Sequence, residues 1–355
     1  MKNFKINNNM IGDKQKIYFI ADIAANHDGK LERAIKLIDL AKESGADAAK
    51  FQHHDVKKYV SDYGFKNLGE KKSHQKKWKK SIFEIYKDAE VPKDWTSKLK
   101  EHCDKIKIDF MSTPYDLDAV DHLDDYVSAF KVGSGDVAWD AMLSKVASKK
   151  KPVFFATGAA TEQEVINAHN IVSSKNKNFC IMQCNTNYTG SIENFKYINL
   201  NVLGSYKKLF PDAILGLSDH TPGHETVLGA VPFGIKAVEK HFTDDTSRDG
   251  PDHPFSMDPK SWKEMVFRTR FLEQAMGDGI KKIEINEKET SVLQRRAIRC
   301  VKNLTKGHTI KKEDIEFQRP CPKNAFTPNE VSLVVGKKIK KDLNKGQHLS
   351  KEDLV

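Results

Sequence analysis

From Ile17 onward the chain alternates short runs of β-favouring apolar residues with longer stretches of helical periodicity, and it does so eight times. The runs are IYFIADIA (17–24), AAKFQ (48–52), DFMSTPY (109–115), AFKVGSG (129–135), PVFFATG (152–158), FCIMQC (179–184), AILGLSDHT (213–221) and KAVEKHFT (236–243). After the first, Ala34, Ile35, Ile38, Leu40 and Ala41 recur at helical spacing ahead of Gly45, and 161–174, 225–234 and 258–277 read as helices too. Strands that are apolar almost throughout are buried on both faces, which calls for a parallel sheet covered by helices. Eight such units between 17 and 277 predict a closed (β/α)8 TIM barrel. The other solution is an open doubly wound sheet, but no GxGxxG follows the first run.

The ends have a different texture. Residues 1–16 are too polar for the apolar centre of a signal peptide and read as a short mobile tail. Residues 278–290 are polar and charged and read as a linker. In the last segment, 291–355, LTKGHTIKKEDIEF and IKKDLNKGQHLSKEDL share a KGxxxxxED pattern, a short duplication that suits a small β-rich domain.

Composition narrows the function classes. Net charge is +10 from 59 basic and 49 acidic residues, but only eight of the basic residues are Arg. The lysines read as scattered over polar faces rather than gathered in a stripe, so nucleic acid is not an expected partner. No apolar run approaches the roughly 18 residues of a membrane span, and no membrane partner is expected. Five cysteines without a CxxC pair point to free thiols in a reducing compartment, hence a cytoplasmic protein.

In a barrel of this kind chemistry gathers at the carboxyl ends of the strands. Asp22, Asn26, His27, Lys50, Gln52, Ser112, Thr113, Lys131, Ser134, Asp136, Ser218, Asp219, His220, Glu239, Lys240 and His241 all fall there and are expected to open onto one mouth. His220 and His241 occupy matching positions on the last two strands. Two neutral imidazoles suit a divalent ion, Mn²⁺ best, with Mg²⁺ or Co²⁺ possible, and with water and substrate oxygen completing the shell. His53, His54, His224 and His253 read as surface or supporting groups. Lys50, Lys131, Thr113 and Ser134 would place two cations and two hydroxyls where a phosphate and a carboxylate could lie.

The motifs IADIAANHDG, GADAAKFQ, FMSTPYD, FKVGSGD, ATG, GLSDHT, EKHFT and GPDHPFSM, in this order, resemble the sialic acid synthase family, with a C-terminal antifreeze-like (SAF) domain, over 17–355. Members condense phosphoenolpyruvate with an N-acylated amino sugar to make nonulosonic acids. The resemblance implies His220 and His241 as metal ligands and Lys50, Thr113, Lys131 and Ser134 as phosphoenolpyruvate contacts. It places Gln52, Tyr188 and Asp252 near the metal or the amino sugar, and Ser218 among the substrate contacts. Arg319, in FQRPC, matches an arginine delivered to the barrel of a partner subunit, which implies a homodimer with exchanged C-terminal domains.

Three departures from the family pattern stand out. Asp22 and Asp136 replace glutamates of the first-strand and GSGE motifs, each one methylene shorter, so that a base at Asp22 must sit closer or act through water. CNTNYT (184–189) replaces C-T-N-x-Y-P, leaving both Asn185 and Asn187 as substrate contacts. RPCPKNA replaces RPGNG after Arg319. N-acetylmannosamine is the simplest sugar, with diacetamido-trideoxy sugars as competitors. The alternatives are a related phosphoenolpyruvate-dependent sugar-phosphate synthase, a Schiff-base aldolase, or a glycan-binding module.

Overall fold

The eight apolar runs pair in parallel and close on themselves. In the computed structural model, which describes residues 2–70 and 73–355, the barrel strands are β3 (Tyr18–Asp22), β4 (Ala48–His53), β5 (Asp109–Pro114), β6 (Phe130–Val132), β7 (Val153–Ala156), β8 (Phe179–Cys184), β9 (Ile214–Asp219) and β10 (Ala237–His241). They follow chain order around the ring, and β10 returns to pair with β3, so no edge is left open. Helices such as Leu31–Glu43, Lys93–Ile106, Glu162–Lys175 and Pro259–Ala275 cover the outside. Each buries one apolar face against the strands; Leu37, Ile38 and Ala41 do so for the first.

Because side chains alternate along a strand, one residue in two points into the lumen. Phe19, Ala21, Phe51, Phe110, Phe130, Phe155, Ile181 and Leu217 face the helices. Tyr18, Ile20, Ala48, Met111, Ala129, Phe154, Cys180, Met182, Ile214 and Ala237 fill the lumen below its polar upper layer.

The first residues do not form a mobile tail. Asn3–Ile6 (β1) and Asn9–Gly12 (β2) make an antiparallel hairpin whose Phe4, Ile6 and Ile11 join the lumen cluster. Phe4 meets Phe154 edge-on at 5.7 Å. Asn7 and Asn9 donate to the two oxygens of Asp109 at 2.7 and 2.8 Å, and the Tyr18 hydroxyl adds a third bond at 2.7 Å. The asparagines make the segment read as polar, yet they satisfy a buried carboxylate while every second residue seals the barrel floor. Gly12 permits the return: at φ 145°, a Cβ would lie 2.0 Å from the Lys2 carbonyl oxygen.

The chain divides between Gly277 and Asp278. In the second unit the segment expected as linker contains a 3-10 turn, Ile285–Glu287, leading into a helix, Lys288–Gln294. Ala297–Cys300 (β11) and Ile315–Gln318 (β12) then pair antiparallel over a core of Ile298, Leu304, Ile310, Phe326, Ile339, Leu343 and Leu349. The duplicated pattern builds two like turns. Gly307 and Gly346 take positive φ, and the buried Asp314 and Asp353 accept the backbone N–H groups of Lys311 and Ser350.

Candidate active site

Register brings the polar strand ends to one height. His241 pairs with Asp22, Asp22 with Lys50, and Gln52 with Thr113. Asp22 is the hub on one side. Its Oδ2 accepts Lys50 Nζ at 2.7 Å and Gln52 Nε2 at 3.1 Å and lies 3.6 Å from His241 Nε2, while Oδ1 accepts the Ala24 N–H. Lys50 also donates to Thr113 Oγ1 at 3.2 Å. Burial works against its charge, but Asp22 and then Glu239 hold the ammonium above the ordinary lysine range.

Glu239 is the hub on the other side. It lies 3.0 Å from Lys131 Nζ and 4.0 Å from Lys50 Nζ, and accepts the Ser218 hydroxyl at 3.1 Å. Its second oxygen, the one 4.0 Å from Lys50 Nζ, is buried without a hydrogen-bond partner among the described residues. Two lysines and two carboxylates, each no more than 5% exposed, thus share the lumen just above its apolar filling. Glu239 was visible among the strand ends, but only the ring closure shows that it reaches Lys131 across the barrel.

Above this layer the rings of His220 and His241 lie 5.3 Å apart. His220 Nδ1 bonds the Asn185 carbonyl at 3.0 Å and sits 3.9 Å from Cys184 Sγ, a neighbour that sequence reasoning missed. Burial pushes His241 down to about 3, so its ring is neutral, and its buried Nδ1 has no hydrogen-bond partner among the described residues. An Asp252 oxygen stands 3.9 Å from that nitrogen and is fixed by the Ala25 N–H. A neutral imidazole with an unpaired nitrogen, beside a second imidazole and a carboxylate, suits a divalent ion. Among the described residues no group of three His, Cys, Asp or Glu side chains is arranged to hold a metal, so water or substrate would complete the shell.

Ser134 accepts the Gly158 N–H at 3.0 Å. Any Cβ at Gly158 would come within 1.9 Å of Thr186 Oγ1 and 2.9 Å of Ser134 Oγ, so the ATG turn needs glycine for this approach. Asp136, on the 3-10 turn Ser134–Asp136, is pushed up to about 6 by burial, and its Oδ2 has no partner among the described residues. Tyr188 packs on His220 at 4.5 Å. Asn187 spends its carboxamide oxygen on Thr189 and Asn194 in the same loop, whereas Asn185 donates to the Tyr197 carbonyl. Arg319 follows β12 and is exposed on the second unit.

Several expected mouth residues point elsewhere: Ser112, Asp219 and Lys240 because they alternate onto the helix side of their strands, and Asn26 and His27 because they lie in the turn after β3. Asp219 and Lys240 pair with each other behind β9 and β10, where Thr221 and Thr226 complete the carboxylate's bonds. Ser112 bonds His53 Nδ1 at 2.7 Å on the helix side of β4 and β5. Asn26 donates to the Phe242 carbonyl and Ser256, and buried His27 stacks edge-on against Trp95. Of the four supporting histidines, His53 and His253 are buried rather than on the surface.

The model of the NeuB family matches residues 37–281, and that of the SAF domain matches 295–355. The chain is 33% identical over 311 residues to N,N'-diacetyllegionaminic acid synthase of Campylobacter jejuni, covering 86% of this chain and 91% of that protein. It is 30% identical over 330 residues to N-acetylneuraminate-9-phosphate synthase of Homo sapiens, covering 93% and 90%. The solved N-acetylneuraminic acid synthetase of Leptospira borgpetersenii, in complex with citrate, matches with a TM-score of 0.71 at 28% identity, over 81% of this chain and 95% of that one.

Proposed function

From the premise that this chain belongs to the NeuB family, we propose that it condenses phosphoenolpyruvate with the open-chain aldehyde of an N-acylated amino sugar, releasing phosphate and forming a nonulosonic acid. The observation that carries this reading is the pair of buried ammonium groups, Lys50 and Lys131, held by Asp22 and Glu239 in the lumen. Buried lysines in excess of what packing requires are costly unless they serve an anion, and phosphoenolpyruvate brings a phosphate and a carboxylate.

In this reading Lys50, Lys131, Thr113, Ser134 and Ser218 bind phosphoenolpyruvate, and Gln52, Asn185, Asn187, Tyr188 and Asp252 face the sugar. A divalent ion held by His220 and His241, Mn²⁺ by preference, would supply Lewis-acid polarisation of the aldehyde. The methylene carbon of phosphoenolpyruvate bonds to the aldehyde carbon, whose oxygen takes a proton. Water then adds at carbon 2 and gives up its proton, and the carbon–oxygen bond to phosphate breaks as the ketone forms. Asp136 suits the proton from water, because one oxygen of its carboxylate has no hydrogen-bond partner among the described residues and burial pushes its proton affinity up to about 6. Asp22, engaged by Lys50, Gln52 and a backbone N–H, serves mainly to orient. A homodimer with exchanged C-terminal units would bring Arg319 to the partner's sugar site, in the cytoplasm and without nucleic acid.

The test is phosphate release from phosphoenolpyruvate with a panel of N-acylated amino sugars, Mn²⁺ present, and the product mass for each. Absence of phosphate release with every sugar overturns the reading. A Schiff-base aldolase needs a neutral amine, and Lys50 is held charged; borohydride trapping with pyruvate would reveal one.

A further inference from the structure

The register that β9 shares with β10 ends at Asp219 opposite Lys240, and its register with β8 ends earlier still, at Ser218. His220 therefore stands one residue beyond the ladder on both sides, whereas His241 lies inside β10 and pairs with Asp22. Two imidazoles that hold one ion must keep a fixed separation, and strand pairing fixes only one of them. The Asn185 carbonyl orients the His220 ring through Nδ1 at 3.0 Å, but it does not tie His220 to β10.

What ties them is an ion pair on the opposite face of the sheet. Asp219 and Lys240 alternate onto the helix side, each no more than 3% exposed. The Lys240 ammonium donates to Asp219 Oδ2 at 2.5 Å and to the Thr221 carbonyl at 2.6 Å. One cation, on the residue next to His241, thus grips the chain immediately before and immediately after His220. The carboxylate closes the same bracket, since it accepts the Thr221 N–H at 3.3 Å and the Thr221 hydroxyl at 2.8 Å. Thr226, on the helix Glu225–Ala230, adds a third donor to Oδ2 at 2.7 Å without spanning His220.

A buried ion pair adds little net stability, and apolar side chains of similar volume commonly do as well in its place. Its hydrogen bonds have fixed directions, however, and directed bonds around a metal ligand orient that ligand. Resting on the assignment of His220 and His241 as the metal-holding pair proposed above, we infer that Asp219 and Lys240 are positioning residues, which hold His220 at the separation from His241 that a shared divalent ion needs and so set the affinity for it. Both act through the backbone of the histidines, from the side of the sheet that faces away from the lumen.

The experiment uses metal-free, full-length protein: wild type, the double variant Asp219→Asn with Lys240→Met, and Thr226→Val. Each is titrated calorimetrically with Mn²⁺ and with phosphoenolpyruvate, and unfolded in urea. The double variant leaves no uncompensated buried charge, so its urea midpoint should stay near that of wild type. Its Kd for Mn²⁺ should rise by about tenfold or more, and hydrogen exchange of the amides from 220 to 224 should quicken. Its Kd for phosphoenolpyruvate should stay within about twofold of wild type, because Lys50 and Lys131 lie on the lumen side. Thr226→Val should lower the urea midpoint and leave Mn²⁺ affinity unchanged. If the double variant does not fold, Asp219→Asn alone decides: it keeps the shape and weakens the hold on Lys240, so the Kd for Mn²⁺ should rise by about threefold. Wild-type Mn²⁺ affinity in the folded double variant, or in Asp219→Asn where that variant decides, overturns the inference, as does an equal loss of affinity in Thr226→Val. Wild type that binds no Mn²⁺ overturns the histidine pair itself, and the inference with it.

Discussion

Glu239→Gln removes one charge from the buried quartet while keeping its volume and its bond to Ser218. At 3.0 Å from Lys131 and 4.0 Å from Lys50, its gross attraction to the two ammonium groups is roughly 5 and 4 kcal/mol at an effective dielectric of about 20. Burying the carboxylate costs several kcal/mol of that, but the cost is already met in the native fold, so losing the charge strands Lys131. Breaking such a pair costs about 3–5 kcal/mol. We expect the low end, about 3 kcal/mol, because Lys50 keeps Asp22. For a unit of this size that is a fall in Tm of roughly 6 °C or more. Phosphoenolpyruvate should offset much of this loss, since its anionic groups meet a more positive site, and its Kd should fall. Urea denaturation with and without phosphoenolpyruvate, together with calorimetric titration, reads both effects. A variant within about 0.5 kcal/mol of wild type, or one that binds phosphoenolpyruvate more weakly, refutes the view that Glu239 holds the lysines ready for an anion.

Asp136 should contribute against stability. Its folded-state value of about 6 lies above the ordinary 3.8, so the folded chain holds the proton longer and stability falls as pH rises from about 4 to 6. Asp136→Asn should therefore unfold later at pH 7, by about 2 kcal/mol after allowance for partial exposure, while losing turnover; a less stable variant contradicts the desolvation argument. Phe4→Ala should destabilise the barrel by about 3 kcal/mol, and a change below 1 kcal/mol in chemical denaturation would restore the view of residues 1–16 as a tail. His220→Ala and His241→Ala should each lower Mn²⁺ affinity at least tenfold by calorimetric titration, and retention of wild-type affinity by both removes the metal assignment. Mixing His220→Ala with Arg319→Ala chains after subunit exchange should restore part of the turnover; none restored, or full activity in Arg319→Ala alone, excludes an arginine acting on the partner's site.

The barrel was legible because it rests on patterns that survive without tertiary information. Eight apolar runs of strand length, separated by helical periodicities with Gly and capping residues at their ends, leave few arrangements that bury all the apolar faces. Strand period alone also told which residues share a face, so the inward placement of Lys50 and Gln52, or of His241 and Glu239, follows from spacing of two. Applied strictly, the same rule would have set aside Ser112, Asp219 and Lys240, which alternate onto the helix side. What spacing could not supply was contact across the ring. That Glu239 lies against Lys131, that Cys184 sits beside His220, and that Asp136 is desolvated into the neutral range all depend on the closure of the barrel and on loops from distant parts of the chain. The hairpin at residues 3–12 was hidden for the same reason. Its asparagines look like a solvated tail until Asp109, a hundred residues on, gives their amides a partner and the open end of the lumen gives Phe4 and Ile6 something to fill. Local pattern determined the elements and their faces, because those depend on neighbours in sequence. The chemistry of the site was decided by burial and by charge pairs that form only when strands far apart in the chain close into one ring.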